Sequence, residues 1–133
     1  FDRFLASGGP ADVPRDKMLP EQAIEEVHNA GGVVFVAHAI FIGDDYPEVV
    51  RTLAGYGLDG IETYYKHYSP EQVEAHRALA AELGIACSGG SDFHGLGNPD
   101  DRPIGGIPFG DAELDAFLAF LGSKGIGQRS TSV

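Results

Sequence analysis

Cysteine is all but missing from this chain: Cys87 stands alone among 133 residues. A single thiol cannot close an internal disulfide. Its place in the apolar run Ile85-Ala86-Cys87-Ser88 suits an inert core thiol, which favours a reducing, cytoplasmic setting. Long apolar runs are missing too. No stretch approaches the roughly 20 residues that cross a bilayer, and no leader peptide is expected, so no membrane role is expected either. Cations are scarce: 9 Lys and Arg stand against 20 Asp and Glu, a formal charge of −11. An extended nucleic-acid face should be basic, so none is expected. The deficit does not exclude a phosphorylated substrate, because bound cations reverse the local field. Acidity alone also serves solubility. Internal repeats and low-complexity segments are absent.

What is present alternates between two periods. The first twenty residues read as loop, punctuated by Gly8-Gly9-Pro10, Pro14 and Pro20. Pro20 opens a helix whose stripe is Ala23, Ile24, Val27 and Ala30, stopped by Gly31-Gly32. Val33 to Ala37 is continuous and β-branched, a strand expected to be buried on both faces. A loop through Gly43-Asp44-Asp45 leads to a helix from Pro47 to about Tyr56. Leu58 to Tyr64 is the next strand. Ser69-Pro70-Glu71-Gln72 is a capping box that starts a helix with Val73, Leu79, Ala80 and Leu83 inward and a stop at Gly84. The Ile85 strand follows, and then a polar loop from Leu96 to about Pro108. Asp111 is expected to cap a last helix with Leu114, Phe117, Leu118 and Leu121 inward. The tail is expected to fray beyond it. Helix–strand three times with a closing helix specifies an α/β fold, with parallel strands covered by helices.

Active sites of parallel α/β folds gather at the C-terminal ends of the strands. All three strands here end on ligand-type side chains: His38, Glu62, then Asp92 with His94. In extended backbone, residues two apart point to one side, so Asp92 and His94 could both reach one ion. A single His after a strand is usually a hydrogen-bonded structural residue; three strand ends in agreement favour a metal site. Imidazole and carboxylate donors suit Zn²⁺, Mn²⁺ or Fe²⁺ rather than Ca²⁺. His28 and His76 lie within helices beside apolar stripes and read as packing residues.

The segments Gly31 to His38, Gly57 to Tyr65 and Gly89-Gly90-Ser91-Asp92-Phe93-His94-Gly95 resemble, in order, the later motifs of the PHP (polymerase and histidinol phosphatase) domain. The opening Phe1-Asp2-Arg3-Phe4-Leu5 resembles its nucleotide-phosphatase branch. The resemblance covers about residues 1 to 123, with 124 to 133 as tail. It implies the carboxy-terminal portion of a distorted (β/α)₇ TIM-like barrel, holding up to three Mn²⁺, Fe²⁺ or Zn²⁺ ions. His38, Asp92 and His94 would be metal ligands, the last two at the catalytic centre, with Glu62 supporting the pocket from behind. Ala39 stands where the family has proline.

The family's amino-terminal His-x-His half has no counterpart here. The expectation is therefore that this chain alone is inactive and pairs with that half or with itself. The implied reaction is hydrolysis of a nucleotide phosphate monoester, a 3′-phosphate of a nucleoside bisphosphate or short oligonucleotide, by metal-activated hydroxide in line with the leaving oxygen. The alternatives are a phosphatase of the histidinol-phosphate type or a non-catalytic PHP module. Arg3, and less so Arg102, could clamp phosphate or be solvated. Tyr64 or Tyr65 could stack on a base or pack under the loop. His67 could touch substrate or cap the helix at Ser69.

Overall fold

Each helix stops on a glycine, and each strand begins within a few residues of that stop. The computed structural model describes residues 9–10, 17–95 and 103–127. In chain order these form α1 (Pro20–Asn29), β1 (Phe35–Val36), α2 (Tyr46–Gly55), β2 (Gly60–Tyr65), α3 (Pro70–Leu83), β3 (Ala86–Gly90) and α4 (Asp111–Ser123). The loop expected after His38 is two short 3₁₀ turns, Ala39–Phe41 and Gly43–Asp45. At the end of α1 the amide of Gly32 returns to the carbonyl of Val27, and that of Gly31 to His28. Gly57, Gly84 and Gly125 close the other three helices with the same pair of return bonds. All four have positive φ, which glycine adopts without a Cβ penalty. The predicted box at Ser69 is present: Gln72 N–H donates to Ser69 Oγ (3.3 Å), and Ser69 N–H to Gln72 Oε1 (2.8 Å).

The three strands form one parallel sheet in the order β1-β2-β3. Central β2 is buried along its whole length. The core joins Ile24, Tyr46, Val50, Leu58, Ile61, Leu79 and Ala80 between sheet and helices. Gly60 has to be glycine, since a Cβ there would meet the Phe35 ring and come 2.5 Å from the Ala86 carbonyl.

Three expectations need correction. β1 is two residues long and half-buried rather than buried on both faces. Upstream of it, the Val34 carbonyl accepts from the Asp59 and Gly60 amides (3.0 and 3.2 Å), while its N–H donates to the Asp59 side chain, at Oδ2 (2.9 Å). In α4 the packed face carries Phe117, Phe120 and Leu121, while Leu114 and Leu118 are exposed. The orientation is set by Phe35, whose ring meets Phe117 and Phe120 edge-on at 5.9 Å each. Gly110, not Asp111, is the cap residue. Beyond the helix, residues 124 to 127 are tied back to it and to the core. Ile126 N–H bonds the Leu121 carbonyl, and Lys124 Nζ reaches Asp59 Oδ1 at 2.7 Å. No helix among the described residues is long and apolar enough to cross a membrane.

Candidate metal centre

Parallel strands bring the ends of β1, β2 and β3 to one rim, and two residues there have backbone that side chains rarely adopt. His38 has φ 54° and Asp92 φ 51°, and among the described residues they are the non-glycines with positive φ. Left-handed backbone costs a residue with a Cβ about 1–2 kcal/mol and persists where the surroundings over-determine it. At His38 those surroundings are explicit. Its N–H donates to Glu62 Oε2 (2.9 Å), its carbonyl accepts from Phe41 N–H (2.9 Å), and the next amide, Ala39 N–H, donates to Tyr68 Oη (2.6 Å). Both strained positions were singled out as ligands from their place after a strand.

The strain brings these side chains together. His38 Nε2 and His94 Nδ1 each lie 3.6 Å from Asp92 Oδ1. Ligand atoms on one ion at roughly 2.1 Å in tetrahedral array stand about 3.4 Å apart, so the His38–Asp92 separation suits a shared cation. His94 Nδ1 also meets the Asp92 carbonyl at 2.7 Å. A proton on Nδ1 donated to that carbonyl makes Nε2 the nitrogen for a ligand. Among the described residues no group of three or more His, Cys, Asp or Glu side chains closes around a single point. The donor chemistry therefore fits a divalent ion, as part of a shell rather than a complete one.

Glu62 sits behind the rim, 9% exposed. Burial raises its pKa, and the bond from His38 N–H only partly offsets this. For Asp92, burial works upward too, but the Tyr65 hydroxyl, His94 and Lys66 outweigh it and hold the carboxyl below the usual aspartate range. Asp92 is thus an anion at neutral pH. Lys66 carried no signal in the sequence, where one lysine in a rim loop reads as solvated. Its side chain is 5% exposed, with Nζ 3.4 Å from Asp92 Oδ2 and 3.3 Å from the Asp92 carbonyl.

Tyr64 is a correction. It does not face the rim: it is 6% exposed, its ring packs on Phe109 at 5.2 Å, and its hydroxyl donates to Glu113 (3.4 Å). The cause is an extra residue, Thr63, in β2. The register runs Glu62↔Ser88 and then Tyr64↔Gly89, so the alternation resets and Tyr65 shares the side of Glu62. His67 is exposed, its ring 5.4 Å from that of Tyr65, and the helix cap is made by Ser69 and Gln72 without it. Arg3 and Arg102 lie outside the described residues. His76 is buried against the Tyr46 and Tyr68 rings (4.8 and 4.6 Å), and burial lowers its pKa, as suits a packing residue. His28 is more than that: its Nε2 is 2.6 Å from Asp59 Oδ2.

No known family profile matches the chain. It is 30% identical over 97 residues to a 5′-3′ exoribonuclease of Haemophilus influenzae, covering 71% of this chain and 35% of that protein. It is 33% identical over 99 residues to a phosphoribosyl 1,2-cyclic phosphate 1,2-diphosphodiesterase of Eggerthella lenta, covering 71% and 36%. The Escherichia coli 5′-3′ exoribonuclease Rnm matches at 31% over 97 residues, covering 71% and 33%. The chain thus spans about a third of the length of the curated relatives it matches. Among solved structures, a Bifidobacterium adolescentis protein described as a candidate metal-dependent phosphoesterase superposes with TM-score 0.62 at 31% identity, covering 81% of this chain and 38% of that one. An amidohydrolase of Chromobacterium violaceum, with sulfate bound and no metal, gives 0.54 at 26%, covering 84% and 45%.

Proposed function

We propose that this chain supplies part of the active site of a divalent-metal-dependent phosphoesterase, one that hydrolyses a phosphate monoester of a nucleotide or short oligonucleotide. The observation that carries the reading is the pair of strained residues, His38 and Asp92, which meet at 3.6 Å across the ends of β1 and β3. Strain of this kind is retained where function needs the geometry. The names of the relatives support phosphoester cleavage on ribose-bearing substrates.

In this reading His38 Nε2 and Asp92 Oδ1 are ligands, and His94 joins them through Nε2. Glu62 fixes the His38 backbone from behind. A bound Mn²⁺, Fe²⁺ or Zn²⁺ would polarise a phosphoryl oxygen and make a water more acidic. The ionised Asp92 supplies negative charge that such an ion requires, and His67, exposed beyond the end of β2, is in this reading the residue that meets a substrate. Tyr64 and Tyr65, 6% and 3% exposed, are not available to stack on a base, so the nucleotide part of the reading rests on the relatives. The remaining ligands of a cluster of up to three ions come from outside the described residues, from further chain, a partner chain or a second copy. The three strand–helix units are then an arc of a (β/α)₇ barrel.

The test is release of inorganic phosphate from adenosine 3′,5′-bisphosphate with Mn²⁺, using the longest natural protein that carries this chain. His38→Ala and Asp92→Asn should each lower the rate by roughly 100-fold or more, beyond what loss of a supporting residue does. Full activity in either variant overturns the assignment. The 133 residues alone should bind Mn²⁺ weakly and hydrolyse the ester negligibly. Full activity of the isolated chain would refute the shared site.

A further inference from the structure

The two oxygens of Asp92 live in different surroundings. Oδ1 faces imidazoles, His38 Nε2 and His94 Nδ1, each at 3.6 Å. Oδ2 faces proton donors: Tyr65 Oη–H donates to it at 3.1 Å, and Lys66 Nζ stands 3.4 Å away. The Lys66 ammonium also donates to the Asp92 carbonyl at 3.3 Å, so it meets this residue at side chain and backbone. A buried ammonium needs such partners, and this one finds them on a residue whose backbone is itself strained.

We propose that Tyr65 and Lys66 are positioning residues that sort the two oxygens of Asp92, engaging Oδ2 so that Oδ1 alone is offered to a cation on the side of His38 Nε2. The inference rests on the reading of Asp92 as a metal ligand and adds a denticity to it. With Oδ2 occupied, Asp92 binds one ion through one oxygen.

The two positioning groups divide the work. Tyr65 is the neutral donor: its hydroxyl donates to Asp92 Oδ2 at 3.1 Å and carries no charge. Lys66 adds charge, which lowers the net negative charge offered to a cation and weakens attraction while it fixes orientation. Removing the Tyr65 hydroxyl changes orientation without changing charge, and Tyr65→Phe is therefore the clean variant.

Mn²⁺ affinity is read from paramagnetic broadening of the His38 and His94 ring signals, beside a thermal scan of the same samples. Tyr65→Phe should weaken Mn²⁺ about tenfold, the low end for a residue that orients a ligand, with both rings still broadened. The Co²⁺ complex of Tyr65→Phe/Lys66→Met should show a weaker visible d–d band than wild type, because a carboxylate released at Oδ2 can add a second oxygen to the ion. Unchanged affinity and an unchanged Co²⁺ band in both variants overturn the inference while leaving Asp92 a ligand. Cation binding that survives Asp92→Asn refutes the ligand reading instead. In that case crystal structures of wild type and Tyr65→Phe without metal decide the orientation claim: an Asp92 carboxylate that stays put in the variant refutes it, and one that turns supports it.

Discussion

His38 offers a test in which the sign of an effect, and not only its size, separates two accounts of the rim. Replace it with alanine in one variant and glycine in another. Both remove the imidazole and its ring contacts with Tyr65 and Phe41, at 5.3 and 6.0 Å, so the difference between them isolates the backbone. At φ 54° and ψ 50° alanine retains a left-handed penalty of about 1–2 kcal/mol, which glycine escapes. Glycine gives back roughly 0.5–1 kcal/mol through the greater freedom of its unfolded chain. The glycine variant should therefore be the more stable by about 0.5–1 kcal/mol, whereas at an ordinary position it is the less stable by a similar amount. With a urea m-value of about 1.5 kcal/mol/M the midpoints differ by roughly 0.5 M, which circular dichroism resolves. Neither variant should broaden on Mn²⁺ as wild type does. An alanine variant as stable as the glycine variant, at equal m, would show that His38 is not strained in solution and remove the main support for a built site.

Glu62 separates support from charge. Glu62→Gln keeps an acceptor for His38 N–H (2.9 Å) and removes a buried negative charge. Because the folded pKa of Glu62 is raised, the ionised form works against folding once pH exceeds its ordinary 4.5. Glu62→Gln should match or exceed wild-type stability at pH 7 and lose that advantage near pH 4, as read by chemical denaturation at both values. Glu62→Ala, which orphans the amide, should cost about 1–3 kcal/mol. Asp59 behaves oppositely. Burial raises its pKa, but Lys124, His28 and the Val34 amide outweigh this and leave it lowered. Its contribution is present above the ordinary 3.8 and lost as pH falls below that, so Asp59→Asn should flatten the acid limb of the stability curve. Gly60→Ala, with its Cβ 2.5 Å from the Ala86 carbonyl, should cost about 3 kcal/mol or prevent folding, visible as lost cooperativity in a thermal scan.

Local chemistry was legible in the sequence, and long-range pairing was not. The helix stop at Gly84 and the box at Ser69 depend on residues within one turn, and they stand as expected. That His38 and Asp92 follow strands at one rim was legible because it depends only on where each strand stops. Lys66 and Asp59 were missed because their meaning lies in partners 26 and 65 residues away. Which tyrosine faces the rim turned on one extra residue in β2, and a strict two-residue alternation cannot reveal a bulge. Half of the inward face expected of α4, Phe117 and Leu121, stands, and Leu114 and Leu118 do not, for a similar reason. Leu114 and Leu118 are as apolar as Phe117 and Phe120, and the Phe35 and Phe109 rings on other segments decide which of them pack.

Asp59 and Asp92 are both anions at the ends of this sheet, and the contrast between them says what the rim is for. Asp59 is 5% exposed, precedes β2 and has its oxygens taken by His28, Lys124 and the Val34 amide. It ties α1, the approach to β1 and the end of α4 together in ordinary backbone. Asp92 follows β3, in left-handed backbone, with one oxygen held by donors and the other facing two imidazoles at 3.6 Å. If stability alone shaped both ends, the strained carboxylate would be expected to pair as fully as the relaxed one does. An oxygen that strained backbone holds 3.6 Å from His38 Nε2, the spacing of two ligands on one ion, is better suited to a cation than to the fold.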